Sequence, residues 1–400
     1  MPAFQAADYP DVDLVYLCLP TGYSHGWGVC GNYLVRELAA LTTVKLFTFP
    51  LNGESAPDEL GLFYLKQCLA SEEETARAGG PEPVSVACPV VQAISDNLMT
   101  PIYPSLEGSR RVGYTFFEDS LLPAGAIENA RRYFDVVAAG SSWCERILRD
   151  HGLTATATIV QGVDPQIFNS TASEKSFLKD RFVVFSGGKF ELRKGQDLVL
   201  RAYKVLQDRH RDTLLVTSWF NRWEFSMNTM RASPYIRFNP GSRDYVSLMQ
   251  RLMVDNGVDP RRVVHLPPQP NGTMAGIYKN TDVGLFPNRC EGGTNLVLME
   301  YMACGKPAIA SLSSGHKDVL TDRTAICIRN AGQMCIQQNG RQTGTWDDPN
   351  LDEIIHHLEW AYQNRDEIAR IGQRAGEHMR QFTWARTARQ FLELLEGESK

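Results

Sequence analysis

No run of about 18 apolar residues occurs anywhere in the 400-residue chain, so no segment reads as a membrane span. No two of the nine cysteines stand in C-x-x-C spacing, and no His/Cys cluster has metal-ligand spacing. Nine is an odd count, which reads as reduced thiols and a cytoplasmic setting. The opening stretch MPAFQAADYPDVDL has neither the basic segment nor the apolar stretch of a secretory leader, and the same expectation follows. There is no basic stripe, which argues against nucleic acid as a partner. Internal repeats and low-complexity segments are also missing. No G-x-G-x-x-G directly follows the first strand pattern with an acid about 20 residues on, which argues against a dinucleotide oxidoreductase.

What is present is ordinary globular composition, 43% apolar and 22% charged, at a length that favours two domains. The net charge of −5 is unevenly spread. Residues 1–170 carry 10 Lys+Arg against 20 Asp+Glu, and residues 171–400 carry 31 against 26. The second part is therefore the better host for an anionic ligand.

Apolar runs alternate with helical patterns along the chain. DVDLVYLCL at 11–19 reads as a buried strand, followed by the glycine loop TGYSHGWGVCG, a helix through NYLVRELAAL and the strand TTVKLFTF. RRVGYTFF, FDVVAAG and ATATIV continue as strands. Helices are expected near Pro123–Tyr133 and Ser142–His151, and residues 52–82 as a polar periphery. A second series starts near Asp180 with RFVVFSGG, a helix GQDLVLRAYKVLQDRH, and the strands DTLLVTSW, RRVVHL, TDVGLF and PAIAS. The tail, 351–396, is helical in pattern. The expected fold is α/β, two Rossmann-like doubly wound domains facing across a cleft. The first is expected over 1–170 on the acceptor side and the second over 171–375 on the donor side, with a helix from 376–400 crossing back to the first.

Three loops at strand carboxyl ends carry unusual residues. In SGGKFELRKGQD, Gly187 and Gly188 end a strand, and Lys189, Arg193 and Lys194 cluster before a helix. Opened backbone and cations beside a helix start suit a diphosphate, or else form a solvated basic turn. In CEGGTNLVLMEYMACGKP, Glu291, Gly292, Gly293, Thr294 and Asn295 precede a helix that carries Glu300. Backbone amides there suit phosphate oxygens, whereas a carboxylate suits hydroxyl donors. The combination is the chemistry of a nucleotide sugar. The plainer alternative is a helix N-terminal charge for Glu291 and a solvated helix face for Glu300. The third loop, Gly22 to Gly31, holds His25 and places Gly28 where backbone could approach a ligand.

These motifs, in this order, resemble retaining glycosyltransferases of family 4, glycosyl transferases group 1, with the GT-B fold. EGGTNLVLMEYMACGKPAIAS is similar to the family's E-x₇-E region, here with eight residues between Glu291 and Glu300. GGKFELRKGQDLVLRAY is similar to its donor-phosphate loop, with Lys189 where an arginine is usual. VQGVDPQIF, GWGVCGNYLVRELAAL, VGYTFFEDSLLP and AAGSSWCERILRDHGL resemble further family segments.

The resemblance implies a hexosyltransferase that moves a sugar from a nucleotide diphosphate sugar to an acceptor hydroxyl with retention, needing no cofactor and no metal. Lys189 and Lys194 would neutralise the departing diphosphate, and Arg193 and Gly188 belong to the same loop. Glu291 would hold a sugar hydroxyl and Glu300 the ribose. Amides near Gly293–Asn295 would hold sugar and diphosphate, and Gly28 would lie near the donor phosphates. Where many members carry a first-domain histidine, this chain reads FFEDS, which puts Glu118 or Asp119 there. Glu118 is accordingly a candidate for sugar binding or charge stabilisation, its plainer alternative being a helix N-terminal acid. The acceptor (glycan, lipid-linked, peptide or small molecule) is not encoded in a readable way. A negative first domain implies at most weak membrane association. The rival readings are a nucleotide-sugar 2-epimerase of the same architecture and a degenerate, binding-only member.

Overall fold

In the computed structural model, residues 12–397 are described apart from 57, 95, 172–173, 242–243 and 339. The N-terminal stretch considered for a leader lies largely outside the described residues. The chain divides into one unit of residues 1–162 and 382–400 and a second of residues 163–381.

The first unit is built on a six-stranded parallel sheet. Its strands are β1 (Leu14–Cys18), β2 (Thr43–Phe47), β4 (Val90–Ala93), β6 (Arg111–Thr115), β7 (Val136–Ala139) and β8 (Thr156–Thr158), in the order β2-β1-β4-β6-β7-β8. A two-stranded parallel ribbon, β3 (Val84–Ser85) with β5 (Leu106–Glu107), stands beside it. β4 and β7 are buried along their whole length, as parallel strands covered on both faces require. The expected polar periphery is partly helical, with helices at Glu59–Cys68 and Glu72–Ala78. Ser71 and Glu74 close the second of these with a capping box.

The last helix, Trp384–Glu396, belongs to this unit. Trp384 is buried and stacks on Tyr33 at 5.2 Å, and Phe391 meets Tyr114 edge-on at 4.9 Å. Thr387 Oγ1 donates to the Val160 carbonyl at 2.9 Å. A Cβ on Gly162 would lie 2.1 Å from the Trp384 amide nitrogen, so only glycine admits the helix there.

The second unit repeats the architecture with β9 (Phe182–Gly187), β10 (Thr213–Ser218), β11 (Val263–His265), β12 (Val283–Phe286), β13 (Ala308–Ser311) and β14 (Ile326–Ile328). All pairings are parallel, in the order β11-β10-β9-β12-β13-β14. An antiparallel hairpin, β15 (Ala331–Gln338) with β16 (Arg341–Pro349), extends from it. Every residue of β9 is buried, and its core continues through Leu198, Leu206 and Leu285 to Ile354 and Leu358 of the C-terminal helices. The loops after β9 and β12, adjacent strands of a parallel sheet, necessarily emerge side by side at the carboxyl edge.

Candidate functional site: a carboxylate between two cations

The loop after β9 turns sharply. Gly188 has φ 110, and a single 3₁₀ turn, Leu192–Lys194, leads into Gly195 with φ 71 and the helix Gln196–Arg209. Both glycines lie in the left-handed region, where a side chain is strained. Gly195 is doubly constrained, because a Cβ there would lie 2.1 Å from the Pro287 carbonyl oxygen. That close approach seats the loop after β9 on the loop after β12.

Their side chains interlock. Lys194 Nζ lies 2.6 Å from Glu291 Oε1, and Arg193 Nη1 lies 3.1 Å from Glu291 Oε2. Asn288 Nδ2 also donates to Oε1. Arg193 donates to the Cys290 carbonyl and, through Nη2, to Glu191 Oε1 at 2.6 Å. Glu191 Oε2 is 3.7 Å from Lys189 Nζ, which lies over the Trp223 ring at 5.0 Å. Glu191 and Glu291 are buried, and Lys189 is partly exposed. Burial opposes ionisation of Glu291, but Lys194 and Arg193 outweigh it and hold its carboxyl down at about 2. Among these five side chains, three cations stand against two carboxylates.

The glycine turn is held from a third side. The Glu291 amide donates to Ser314 Oγ at 2.8 Å, and the Gly315 amide donates to the Glu291 carbonyl at 3.0 Å. A Cβ on Gly315 would lie 1.7 Å from the Gly293 oxygen. Asn295 adopts φ 64 and caps the helix Leu296–Ala303, accepting from the Leu298 amide. Its Nδ2 donates to His316 Nε2 at 3.2 Å, while His316 Nδ1 donates to the Ser311 carbonyl at 3.0 Å. Burial lowers the imidazole to about 4, so His316 is neutral and serves as a rigid strut. Gly292 and Gly293 are buried in this turn. Thr294 is buried too, and its hydroxyl donates to Met299 Sδ at 3.0 Å, turned into the protein.

Glu300 has different company. Asn271 Nδ2 donates to Oε1 at 2.6 Å and the Tyr278 hydroxyl to Oε2 at 3.5 Å. Glu300 is buried, so the solvated helix face considered as an alternative is ruled out. Among the described residues no cation is bonded to it, and burial pushes its carboxyl up to about 8 despite the two donors.

The structure thus joins Arg193, Lys194 and Glu291 directly, with Lys189 connected through Glu191. Gly188 lies against the Lys194 side chain, and Glu300 sits in its own neutral pocket. Gly28 and Glu118 belong to the first unit. Two readings there change. The helix starts at Gly26, so Gly28 lies in its first turn rather than in a loop. A Cβ on Gly28 would come within 2.7 Å of Gly22 backbone and of the His25 ring, so close internal packing requires this glycine. Glu118 follows β6 in irregular backbone, and the next helix begins only at Ala126 behind the left-handed Gly125. It is therefore not a helix N-terminal acid. Asp119 beside it is buried and accepts from Asn97.

Sequence reasoning missed Glu191, Asn271, Tyr278, Asn288, Ser314 and His316. Glu191 had a usable signal, an acid inside the basic run KFELRK. The others are far from their partners in sequence, apart from Asn288. Among the described residues no group of three or more His, Cys, Asp or Glu could hold a metal ion, and no helix is long and apolar enough to cross a membrane.

Comparison with known proteins places this arrangement. Residues 180–337 match the family model described as glycosyl transferases group 1. A D-inositol 3-phosphate glycosyltransferase of Paenarthrobacter aurescens is 25% identical over 238 residues, 58% of this chain and 49% of that one. A GDP-mannose-dependent α-(1-6)-phosphatidylinositol monomannoside mannosyltransferase of Mycolicibacterium smegmatis is 28% identical over 155 residues, 37% and 35% of the two chains. The matched stretch thus spans at most about half the length of these curated relatives. Among solved structures, sucrose-phosphate synthase from Thermosynechococcus elongatus superposes with a TM-score of 0.64 at 15% identity, covering 96% of this chain and 98% of that one. The Anabaena protein HepE in complex with UDP-glucose gives 0.62 at 14%, covering 96% and 99%. The fold is GT-B, and the stretch that carries the cation loop and both glutamates is the one that matches the glycosyl transferases group 1 model.

Proposed function

We propose that the protein transfers a sugar from a nucleotide diphosphate sugar to an acceptor hydroxyl, with retention of anomeric configuration and without a metal ion. The observation that carries this reading is Glu291, fixed between Arg193 and Lys194 at the mouth of a glycine turn. Its relatives are named glycosyltransferases, and HepE has been solved with UDP-glucose.

In the proposed reaction the bond from the anomeric carbon to the diphosphate breaks, and a bond to the acceptor oxygen forms on the same face. The acceptor proton passes to the departing phosphate oxygen. Negative charge grows on the diphosphate, and Lys189, Arg193 and Lys194 stabilise it by preorganised electrostatics. Glu291 holds the latter two in place before the donor arrives, so they need no reorganisation. A carboxylate has about four acceptor positions. Lys194, Asn288 and Arg193 use three, which leaves one for a sugar hydroxyl. Glu300, with Asn271, takes the ribose hydroxyls. From the first unit, Glu118 is the proposed stabiliser of positive charge at the anomeric carbon. The acceptor is a glycan, a lipid-linked sugar, a peptide or a small molecule, and the enzyme works in the cytoplasm with at most weak membrane association.

The deciding experiment screens UDP-, GDP- and ADP-sugars by thermal shift, since a ligand bound only to the folded state raises stability. Transfer is then assayed with the best donor. Stabilisation by a nucleotide sugar, lost in Lys194→Ala, is expected. Release of an epimerised sugar without acceptor would replace transfer by epimerisation. Glu118→Gln keeps shape and removes charge, and should cut transfer by about 10²-fold or more with donor binding unchanged. Near-normal transfer would remove Glu118 from the reaction.

A further inference from the structure

The amino-terminal edge of the second sheet holds a cluster of lysines that the proposed transfer does not use. Lys306 stands two residues before β13, Asp282 immediately precedes β12, and Lys175 lies in the segment leading to β9. These are three adjacent strands of a parallel sheet, so the cluster sits at the end opposite the Glu291 turn. Four to six residues of strand separate the two edges, about 13–20 Å.

Within the cluster the carboxylate is already used. Asp282 Oδ2 accepts from Lys175 Nζ at 2.7 Å and from the Val183 amide at 2.6 Å. Lys175 also donates to the Arg181 carbonyl at 2.7 Å. Lys279 donates to the Thr171 carbonyl at 2.8 Å and toward Asn169 Oδ1 at 3.5 Å. Lys306 is only 7% exposed and, among the described residues, has no hydrogen bond or ion pair. The groups that act on it are Asp282, Lys175, Cys304 and Lys279. The Cys304 thiol, pushed up to about 12, is neutral. The local sum is three ammonium groups against one carboxylate, an excess of two positive charges. A buried cation left in this state is costly, and burial lowers its amine to about 8.

We propose that Lys306, flanked by Lys175 and Lys279, forms an anion site at the amino-terminal edge of the second sheet, with a phosphoryl dianion as its ligand. Two negative charges balance the cluster, and three ammonium donors match the oxygens of a phosphate. The source is inorganic phosphate or the phosphate of a small phosphomonoester.

Thermal melting of the full chain tests this, in potassium phosphate or glucose 6-phosphate against potassium chloride of equal ionic strength. A saturable rise in melting temperature is expected for the wild type. It should persist in Lys194→Ala and vanish in Lys306→Met. Lys279→Ala, at the rim, should weaken phosphate by about tenfold while leaving the buried position intact. A rise with inorganic phosphate equal to that with the sugar phosphate identifies the free anion as sufficient, and a larger rise with the latter identifies a phosphomonoester. In phosphate-free buffer, Lys306→Met should melt at or above the wild type, because it removes one cation from a cluster with excess positive charge. A lower melting point would make Lys306 an ion-pair partner of Asp282 and overturn the proposal. No saturable rise in the wild type, or one that survives in Lys306→Met, would overturn it equally.

Discussion

Glu291 and Glu300 flank the same glycine turn and helix start, yet they live in opposite electrostatic surroundings. Glu291 is bracketed by Lys194 and Arg193 and is held ionised, its carboxyl near 2. Among the described residues Glu300 is bonded to neutral donors alone, Asn271 and Tyr278, and burial raises it to about 8. Two acids of one motif therefore enter the ligand-free protein in different charge states. The difference separates their duties. A permanently charged Glu291 is a bracket for cations, and a near-neutral Glu300 is a hydrogen-bonding surface that exchanges its proton close to physiological pH. Spacing alone conveys neither, because each state is set by residues from other loops.

The comparison breaks most readily at Glu291. Glu291→Ala leaves Arg193 and Lys194 partly buried without their common partner, and unfolding free energy should fall by about 3–5 kcal/mol. Urea denaturation measures it, and a change below about 1 kcal/mol would mean that the cations do not depend on this carboxylate. Next come Lys194→Ala and Glu300→Ala, each expected to lower kcat/KM by roughly one to two decades, or about 1.5–3 kcal/mol. Normal kinetics in a folded variant would remove that residue from the donor site.

The smallest and sharpest test is pH. The Glu300 carboxyl is raised on folding from 4.5 to about 8. In that window the folded state keeps a proton the unfolded chain has released, so stability falls as pH rises, by about 1.4 kcal/mol per unit. The Glu291 carboxyl is lowered from 4.5 to about 2, so its contribution is present above 4.5 and lost as pH falls through that range. Urea midpoints of wild type and Glu300→Gln between pH 5 and 8 should therefore diverge steadily, the variant lacking the downward slope. Parallel curves would show that Glu300 is ionised throughout.

Much of the fold was legible because buried parallel strands read as short apolar runs between glycine loops, as in RFVVFSGG and TDVGLF. The misses have physical reasons. β4, central in the first sheet, is only four residues long and follows Pro89, so PVVQA offers neither length nor alternation. The hairpin β15–β16 is partly exposed and polar, and glutamine-rich runs such as CIQQNGRQ carry little periodicity. The helix start at Gly26 was hidden by glycines that ordinarily mark loops, whereas Gly28 and Gly31 are needed for close packing against Gly22 and Pro20. In the site, residue types and loop positions were readable. The pairing of Glu291 with both cations was not, since about a hundred residues separate the partners.

The near-contacts at Gly195 and Gly315 bear on how such a domain can be recombined. With Gly195 fitted against the Pro287 carbonyl and Gly315 against that of Gly293, three loops from distant parts of the chain share one steric key. A chimera that imports any one of them from a relative would meet a mismatched surface in the other two. The three form a linkage group, exchangeable together, and under the proposed function changes of donor preference should be sought at positions outside it, such as the stretch from His265 to Asn271.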